Sequence, residues 1–217
     1  MDNKFLIPSS IVLAGVMVAG ALLYSMRSPI LVTPRAADFP DVLKIKKSDF
    51  VLGNPAAKVV LVEYGDFQCP FCGKFFKDAE SAVREKYIKS GKVAFVWRDF
   101  AFLGEESFKA AEAARCAGDQ GRFWEYHDYL FNNQKGENRG TFKDLNLKSF
   151  AKFLRLNEIS FIACLDSGTH RKGVEVSVAE GKSVGVSGTP TTFVNGKAVS
   201  GAISSADISA IIEPLLK

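Results

Sequence analysis

The hydrophobic pattern of the chain contains a run, VVLVEY at 59–64, that is almost continuously apolar. Runs of this kind are typical of strands covered on both faces, so we predict a strand here and a second one at 93–98. Glu63 lies within the first run, and an ionised carboxylate is costly to bury without a partner. The position of Glu63 therefore calls for a chemical explanation.

The pattern changes to helical spacing soon after this strand. Gly65 and Asp66 end the strand, and Pro70 suits the first turn of a helix, where its missing N–H is not needed. The apolar positions that follow share one helical face: Phe75, Phe76, Ala79, Ala82, Val83 and Tyr87. Cys69 is therefore predicted at the N-terminus of a helix, with Cys72 one turn inside it.

The region from 105 to 185 has apolar residues at helical spacing and no convincing strand. Helices are predicted at 107–117, 122–131 and 147–156, with another after Thr169. The polar stretch at 132–141 is predicted to be a mobile loop.

The stretch GVSGTPTTFVNGKAVSG, at 185–201, predicts a hairpin. Asn195 and Gly196 form a two-residue turn signal between TTFV and KAV. Pro190 directly precedes the first strand of this hairpin. X–Pro bonds are cis in only about one case in twenty, so these residues alone favour a trans bond.

The N-terminal residues carry a different signal, because no residue from Leu6 to Met26 is charged. A run of about twenty apolar residues suffices for a helix to cross a membrane, so a single transmembrane anchor is predicted within 1–27. A cleaved signal peptide is the alternative, since the small residues at 19–21 resemble a cleavage site. Either interpretation predicts export. The Pro-containing segment 28–48 is interpreted as a linker, and 49–217 as the globular domain.

The composition argues against nucleic-acid binding and against a structural zinc site. The net charge of the 217 residues is +4, and the basic residues are scattered, so no nucleic-acid-binding surface is indicated. Of the four cysteines, only Cys69 and Cys72 form a close pair. A structural zinc needs four ligands, and Cys116, Cys164, His127 and His170 supply no second close pair, so no metal is expected.

The placement of the cysteine pair indicates redox chemistry. Unpaired N–H groups and the helix dipole stabilise a thiolate at a helix N-terminus, so Cys69 is expected to be the nucleophile. Cys72 can resolve a mixed disulfide by attacking Cys69. The proton that Cys72 loses needs an acceptor, and a buried carboxylate with a raised pKa could accept it. This is the hypothesis for Glu63.

Taken together, these segments resemble the thioredoxin superfamily, and more closely its DsbA-like, membrane-anchored branch with the BdbD-type oxidases. The resemblance covers essentially all of 49–217 and rests on YGDFQCPFCGKF (64–75), AARCAGDQGRFWEYHDYLF (113–131), FIACLDSG (161–168) and GTPTTFVNG (188–196). It implies an α/β thioredoxin fold with an inserted helical domain at about 105–168.

The resemblance also implies roles for single residues. Cys69 would be the nucleophile, Cys72 the resolving cysteine, and Pro190 the cis-proline facing them. Glu63 matches the buried acid of this branch. The similar proteins that carry the pair Cys116 and Cys164 often cross-link it, and such a disulfide is expected here, with two buried free thiols as the alternative.

The expected substrate-facing residues are Thr189, Pro70 and Phe71. The main chain of Thr189 would pair with an extended substrate like an added strand. DsbA itself has a histidine where this chain has Phe71, and a histidine can stabilise the thiolate. A weaker oxidant than DsbA, with a less depressed Cys69 pKa, is therefore expected.

The function that follows is an exported thiol:disulfide oxidase whose Cys69–Cys72 disulfide is donated to folding extracytoplasmic proteins. No cofactor beyond that disulfide is expected, and the protein is expected to be a monomer. Its partners would be reduced exported proteins and a membrane reoxidant of the DsbB or vitamin K epoxide reductase type. Its expected location is the cell membrane, with the catalytic domain in the periplasm or on the outer face. A reductase or isomerase of the same fold and a peptide-binding chaperone are the alternatives.

Overall fold

A five-stranded mixed sheet is the centre of the fold in the computed structural model, which describes residues 40–217. Its strands are β1 (Phe50–Gly53), β2 (Val59–Gly65), β3 (Val93–Asp99), β4 (Thr191–Val194) and β5 (Lys197–Ser200). The spatial order is β1-β3-β2-β4-β5. The β2–β3 pair is parallel and the other pairs are antiparallel.

One helical run, α1, follows β2 and covers 70–88. It alternates between α-helical turns, at Pro70–Phe75 and Ser81–Val83, and π-helical turns, at Phe76–Glu80 and Arg84–Ile88. A short 3₁₀ helix, Asp41–Leu43, precedes β1. Six more α-helices complete the described chain: α2 (Glu105–Gly118), α3 (Phe123–Asn132), α4 (Asp144–Phe153), α5 (Glu158–Asp166), α6 (Arg171–Ser183) and α7 (Ser205–Leu216). The predicted helices therefore correspond to α1–α4 and α6.

The residues of β2 alternate between two covered faces of the sheet. Val59 and Leu61 pack with the inner residues of α1 and α7. Val62 and Tyr64 pack on the opposite face, with Leu43 and part of α6. Coverage on both faces explains why the strand is almost continuously apolar. Glu63 has the parity of Leu61, so it belongs to the face that α1 covers.

The β4–β5 hairpin has the predicted turn. Asn195 and Gly196 both have positive φ, at 45° and 79°. Asparagine and glycine tolerate this conformation, and such a turn matches the twist of the two strands.

The predicted linker 28–48 is wrong in its C-terminal part, because 40–48 packs on the domain. Leu43 is buried, and the guanidinium of Arg98 donates hydrogen bonds to the carbonyl oxygens of Val42 and Lys44. Arg98 is itself buried, and these carbonyls are among the few groups that can satisfy its donors. The folded unit therefore begins before residue 49.

The predicted transmembrane segment lies outside the described residues. Within 40–217, none of the helices combines the length and the apolar character that crossing a bilayer requires.

Candidate active site

The cysteine pair lies at the start of α1, as predicted. Cys69 is the N-cap residue and Pro70 the first helical residue. Both cysteines are unbridged thiols, and the side chains of Cys69 and Cys72 are 5% and 0% exposed. The fold thus encloses both sulfur atoms and leaves Cys69 the more accessible.

The two thiols have opposite acidities. A hydrogen bond from the Cys72 thiol, supported by the backbone N–H groups of Phe71 and Cys72, lowers the pKa of Cys69 to about 6 in spite of burial. Burial raises the pKa of Cys72 well above the usual thiol value, and its hydrogen bond to Cys69 adds to this effect. At neutral pH, Cys69 is therefore the thiolate and Cys72 the thiol.

Glu63 lies in β2, on the sheet face that α1 covers, and its negative charge adds to the raised pKa of Cys72. Its side chain is 1% exposed, and within 40–217 its Oε2 atom has no hydrogen-bond partner. Burial raises the pKa of Glu63 well above its usual value, and the negative charge of Glu80 adds to the rise. A carboxyl in this state can carry a proton at neutral pH.

The loop before β4 closes the site from the other side. The Thr189–Pro190 peptide bond is cis. The Sγ atom of Cys69 lies 3.3 Å from the carbonyl oxygen of Thr189. Cys69 therefore contacts Cys72 and Thr189, Pro190 follows Thr189 through the cis bond, and Glu63 is within electrostatic reach of both sulfur atoms.

Apolar side chains are exposed beside the cysteine motif. Phe71 is 63% exposed, and the adjacent Pro70 is also exposed. Phe102, in the loop after β3, is a further exposed aromatic side chain. Exposed apolar side chains next to a reactive sulfur can contact an unfolded polypeptide.

Comparison with known proteins identifies this arrangement. A family model described as thioredoxin matches residues 46–214. The chain belongs to the thioredoxin family. Within that family it is DsbA-like, because it is 30% identical over 149 residues to a probable disulfide bond formation protein D of Bacillus cereus, covering 67% of this chain and 69% of that protein.

Other relatives are longer than the matched region. A Na⁺/H⁺ antiporter NhaA 1 of Salinispora arenicola is 39% identical over 168 residues, which are 76% of this chain and 24% of the antiporter. A putative protein-disulfide oxidoreductase of Rickettsia typhi is 32% identical, over 70% of this chain and 57% of that protein. The chain thus spans about a quarter to three fifths of the length of these relatives.

Solved structures agree with the family assignment. BdbD of Bacillus subtilis has a TM-score of 0.73 and 28% identity, and the match covers 78% of this chain and 94% of that one. The α-DsbA1 protein of Wolbachia pipientis also has a TM-score of 0.73, at 22% identity, covering 81% of this chain and 94% of that one. The second comparison supports the fold alone.

A disulfide joins the inserted helices of this thioredoxin-family chain. Cys116 in α2 and Cys164 in α5 are bonded, with Cα atoms 5.9 Å apart. His170, which precedes α6, lies 2.7 Å from the carboxylate of Asp119 beside this bridge. The bridge joins α2 to α5. Cys116 belongs to the core cluster that also contains Cys69 and Cys72, and Cys164 packs against this cluster.

Within residues 40–217, two side-chain clusters have the composition of a metal site, and neither is suited to hold a metal ion. Donor atoms of Glu80, His127 and Asp128 lie within 4.8 Å of one another. The guanidinium of Arg84 bonds to both of these carboxylates and supplies the cation itself. In the other cluster, the cysteines near His170 are joined in the disulfide.

Gln134, which follows α3, is a residue of the site that the sequence pattern does not reveal. Its Nε2 atom donates hydrogen bonds to the carbonyl oxygens of Phe67 and Cys69, at 2.7 and 2.9 Å. Asn138, in the same loop, accepts and donates hydrogen bonds with Gln68. The loop predicted as mobile is therefore attached to the cysteine motif, and no local sequence pattern signals such a long-range contact.

Replacing Gln134 with leucine is expected to lower the free energy of unfolding by about 1–3 kcal/mol, because two backbone carbonyls lose their side-chain donor. Urea unfolding of the full-length protein measures this change. Gln120→Leu is the control, since Gln120 also bonds to backbone groups, those of Asn157, but at an exposed position. Equal losses in the two variants would contradict the assigned importance of Gln134.

Proposed function

We propose that the protein is an exported, membrane-anchored thiol:disulfide oxidase that donates its Cys69–Cys72 disulfide to folding proteins. The observation that supports this most strongly is the lowered pKa of Cys69 at the start of α1. A stabilised thiolate favours the dithiol form of the enzyme, so the disulfide form is the more readily given away. Exchange requires the redox-active cysteines and no further cofactor.

The proposed reaction has two exchanges. A substrate thiolate attacks Sγ of Cys69, a new intermolecular S–S bond forms, and the Cys69–Cys72 bond breaks. Cys72 leaves as a thiolate, and the proton on Glu63 converts it to the thiol that its raised pKa favours. A second substrate thiolate then attacks the substrate sulfur of the mixed disulfide and releases Cys69 as a thiolate. The substrate is oxidised by two electrons and the enzyme is reduced by two.

The neighbouring residues suit an extended polypeptide substrate. The Thr189 main chain, beside Cys69, is proposed to pair with the substrate as an added strand. Pro70 and Phe71 would contact its apolar side chains. Reoxidation is proposed to occur at a membrane protein of the DsbB or vitamin K epoxide reductase type, which takes the two electrons from the cysteine pair. Export and anchoring rest on the apolar residues 6–26.

A trapping experiment tests the proposal. Cys72→Ala in the full-length protein removes the resolving thiol, so we expect mixed disulfides between Cys69 and exported proteins that contain cysteine pairs. These adducts are identified by mass spectrometry after nonreducing separation. Cys69→Ser is the control and should trap nothing. Adducts mainly with electron-supplying redox proteins would favour a reductase, and undiminished activity of Cys69→Ser on substrates would favour a chaperone.

A further inference from the structure

In the described part of the chain, several buried polar side-chain atoms have no hydrogen-bond partner, and they lie on the elements that carry or adjoin the cysteine pair and Glu63. Among the side chains of residues 40–217, these atoms are Glu63 Oε2, Glu80 Oε2, His127 Nε2, Thr189 Oγ1 and Thr192 Oγ1. An unsatisfied buried polar group costs about 1–3 kcal/mol, and such groups are rare in native proteins. Thr189 contacts Cys69, and Thr192 pairs with Glu63 in the sheet. Because several unsatisfied polar atoms lower the stability of the same region, we expect that region to have a function.

Glu80 is the second carboxylate of this cluster. It lies in the first π-helical turn of α1 and is 1% exposed. The neighbouring Ala79 packs in the same cluster as Leu61, which shares its sheet face with Glu63. The charge of Glu80 raises the pKa of Glu63, which places the two carboxylates within electrostatic reach. One oxygen of Glu80 accepts a hydrogen bond from Arg84, and the other is unpartnered.

His127 is the next member, on α3. Its ring is fully buried among aromatic side chains, with the Trp97 ring centroid 4.8 Å away. Trp97 is also the cross-strand neighbour of Glu63 in the sheet. The Nδ1 atom of His127 lies 2.9 Å from the carboxylate of Asp128, so a proton held there leaves Nε2 as an unpartnered acceptor.

Asp128 connects this interior to solvent. Its side chain is 35% exposed, and both its oxygens bond to Arg84. The groups that face Glu80 are therefore Arg84 on its own helix, His127 and Asp128 on α3, and Glu63 on β2. Donor atoms of Glu80, His127 and Asp128 lie within 4.8 Å of one another, and Glu63 is within electrostatic reach of Glu80. Between groups that are not hydrogen-bonded to each other, a proton would move through a bridging water.

We propose that Glu80 and His127 extend Glu63 into a buried proton relay, which carries the Cys72 proton between the active site and Asp128. This inference rests on the proposed function, because it assigns a route to the proton which that reaction moves. Glu80 and His127 affect the reaction only through Glu63, and neither touches a reacting sulfur. We therefore class both as positioning residues and not as catalytic residues.

The relay accounts for every proton both when the enzyme is reoxidised and when it oxidises a substrate. When the dithiol is reoxidised, Glu63 passes its proton to the Glu80 carboxylate and then accepts the proton of Cys72. Glu80 passes its proton through a bridging water to Nε2 of His127, and the Nδ1 proton moves to Asp128 and from there to solvent. When a substrate opens the disulfide, the same steps run in reverse and deliver one proton to the departing Cys72 thiolate.

A two-phase reaction with Ellman's reagent tests the relay in the full-length reduced protein. Attack by Cys69 releases the first thionitrobenzoate, and attack by Cys72 on the mixed disulfide releases the second. We expect Glu80→Gln to leave the first phase unchanged and to lower the plateau of the second-phase pH profile about tenfold. This loss is below the 10²–10⁴-fold typical of a direct general acid or base, because Glu80 acts through Glu63. Glu80→Asp, which keeps the carboxylate, is expected to restore most of the plateau.

Glu112→Gln is the matched control. Glu112 is also a buried helical glutamate paired with an arginine, Arg171, but it lies on α2 outside the relay. This variant should leave both phases unchanged, and His127→Phe should slow only the second. A Glu80→Gln profile whose plateau equals that of the wild type, whether or not its midpoint moves, would overturn the relay. The proposed function would survive that result, whereas a wild-type protein without a rapid first phase would contradict the proposed function itself.

Discussion

Replacing Glu63 with leucine is expected to make the protein more stable and a slower catalyst at the same time. The buried carboxyl has an unpartnered oxygen and a raised pKa. Removing an unsatisfied buried polar group should raise the free energy of unfolding by about 1–3 kcal/mol, provided that leucine fills the space. The same change removes the proton donor and acceptor for Cys72, so its attack on a mixed disulfide should slow about 10²–10⁴-fold.

Urea unfolding and the second phase of the Ellman's reaction measure these two effects. Glu63→Gln is the control that keeps the shape and a polar group, and we expect it to lose the rate without the gain in stability. A leucine variant with a wild-type second phase would show that Glu63 has no part in proton transfer. A variant that is both slower and less stable would mean that the carboxyl has a structural role.

Removing the Cys116–Cys164 disulfide is expected to lower the free energy of unfolding by a large amount. The bridge joins residues that are 48 apart in sequence, and closing such a loop contributes about 4 kcal/mol in the chain-entropy model. The double variant Cys116→Ala with Cys164→Ala should lose about this free energy of unfolding, as measured in urea. Both phases of the Ellman's reaction should persist, because Cys69 and Cys72 are untouched.

Two results would contradict the expected effect of removing the disulfide. A loss of less than about 1 kcal/mol would indicate that the helices are held by packing alone. The expected loss of stability together with a defective first phase would instead assign Cys116 and Cys164 a part in the exchange reaction.

The sequence predicted the central elements because their signals are local. VVLVEY is apolar throughout because both faces of β2 are covered, and Asn195-Gly196 supplies the turn that joins β4 and β5. The position of Cys69 at the start of α1 followed from one proline and one apolar stripe. The cis form of Pro190 followed from the family resemblance and not from those residues, since local preference favours trans.

The features that were missed depend on distant partners. Strand β1 is only four residues long and exists through its pairing with β3. The segment 40–48 reads as a linker because the donors that bind it belong to Arg98, far along the chain. The π-helical turns of α1 place Glu80 inward, and a helical periodicity of 3.6 residues does not reveal them.

The acidity of Cys69 is the central claim, and the ultraviolet absorbance of its thiolate tests it most directly. The titration uses the reduced full-length protein, with Cys69→Ser subtracted as the reference. The structure predicts a midpoint near pH 6. A midpoint near 9.0, the value of an unperturbed thiol, would contradict the account.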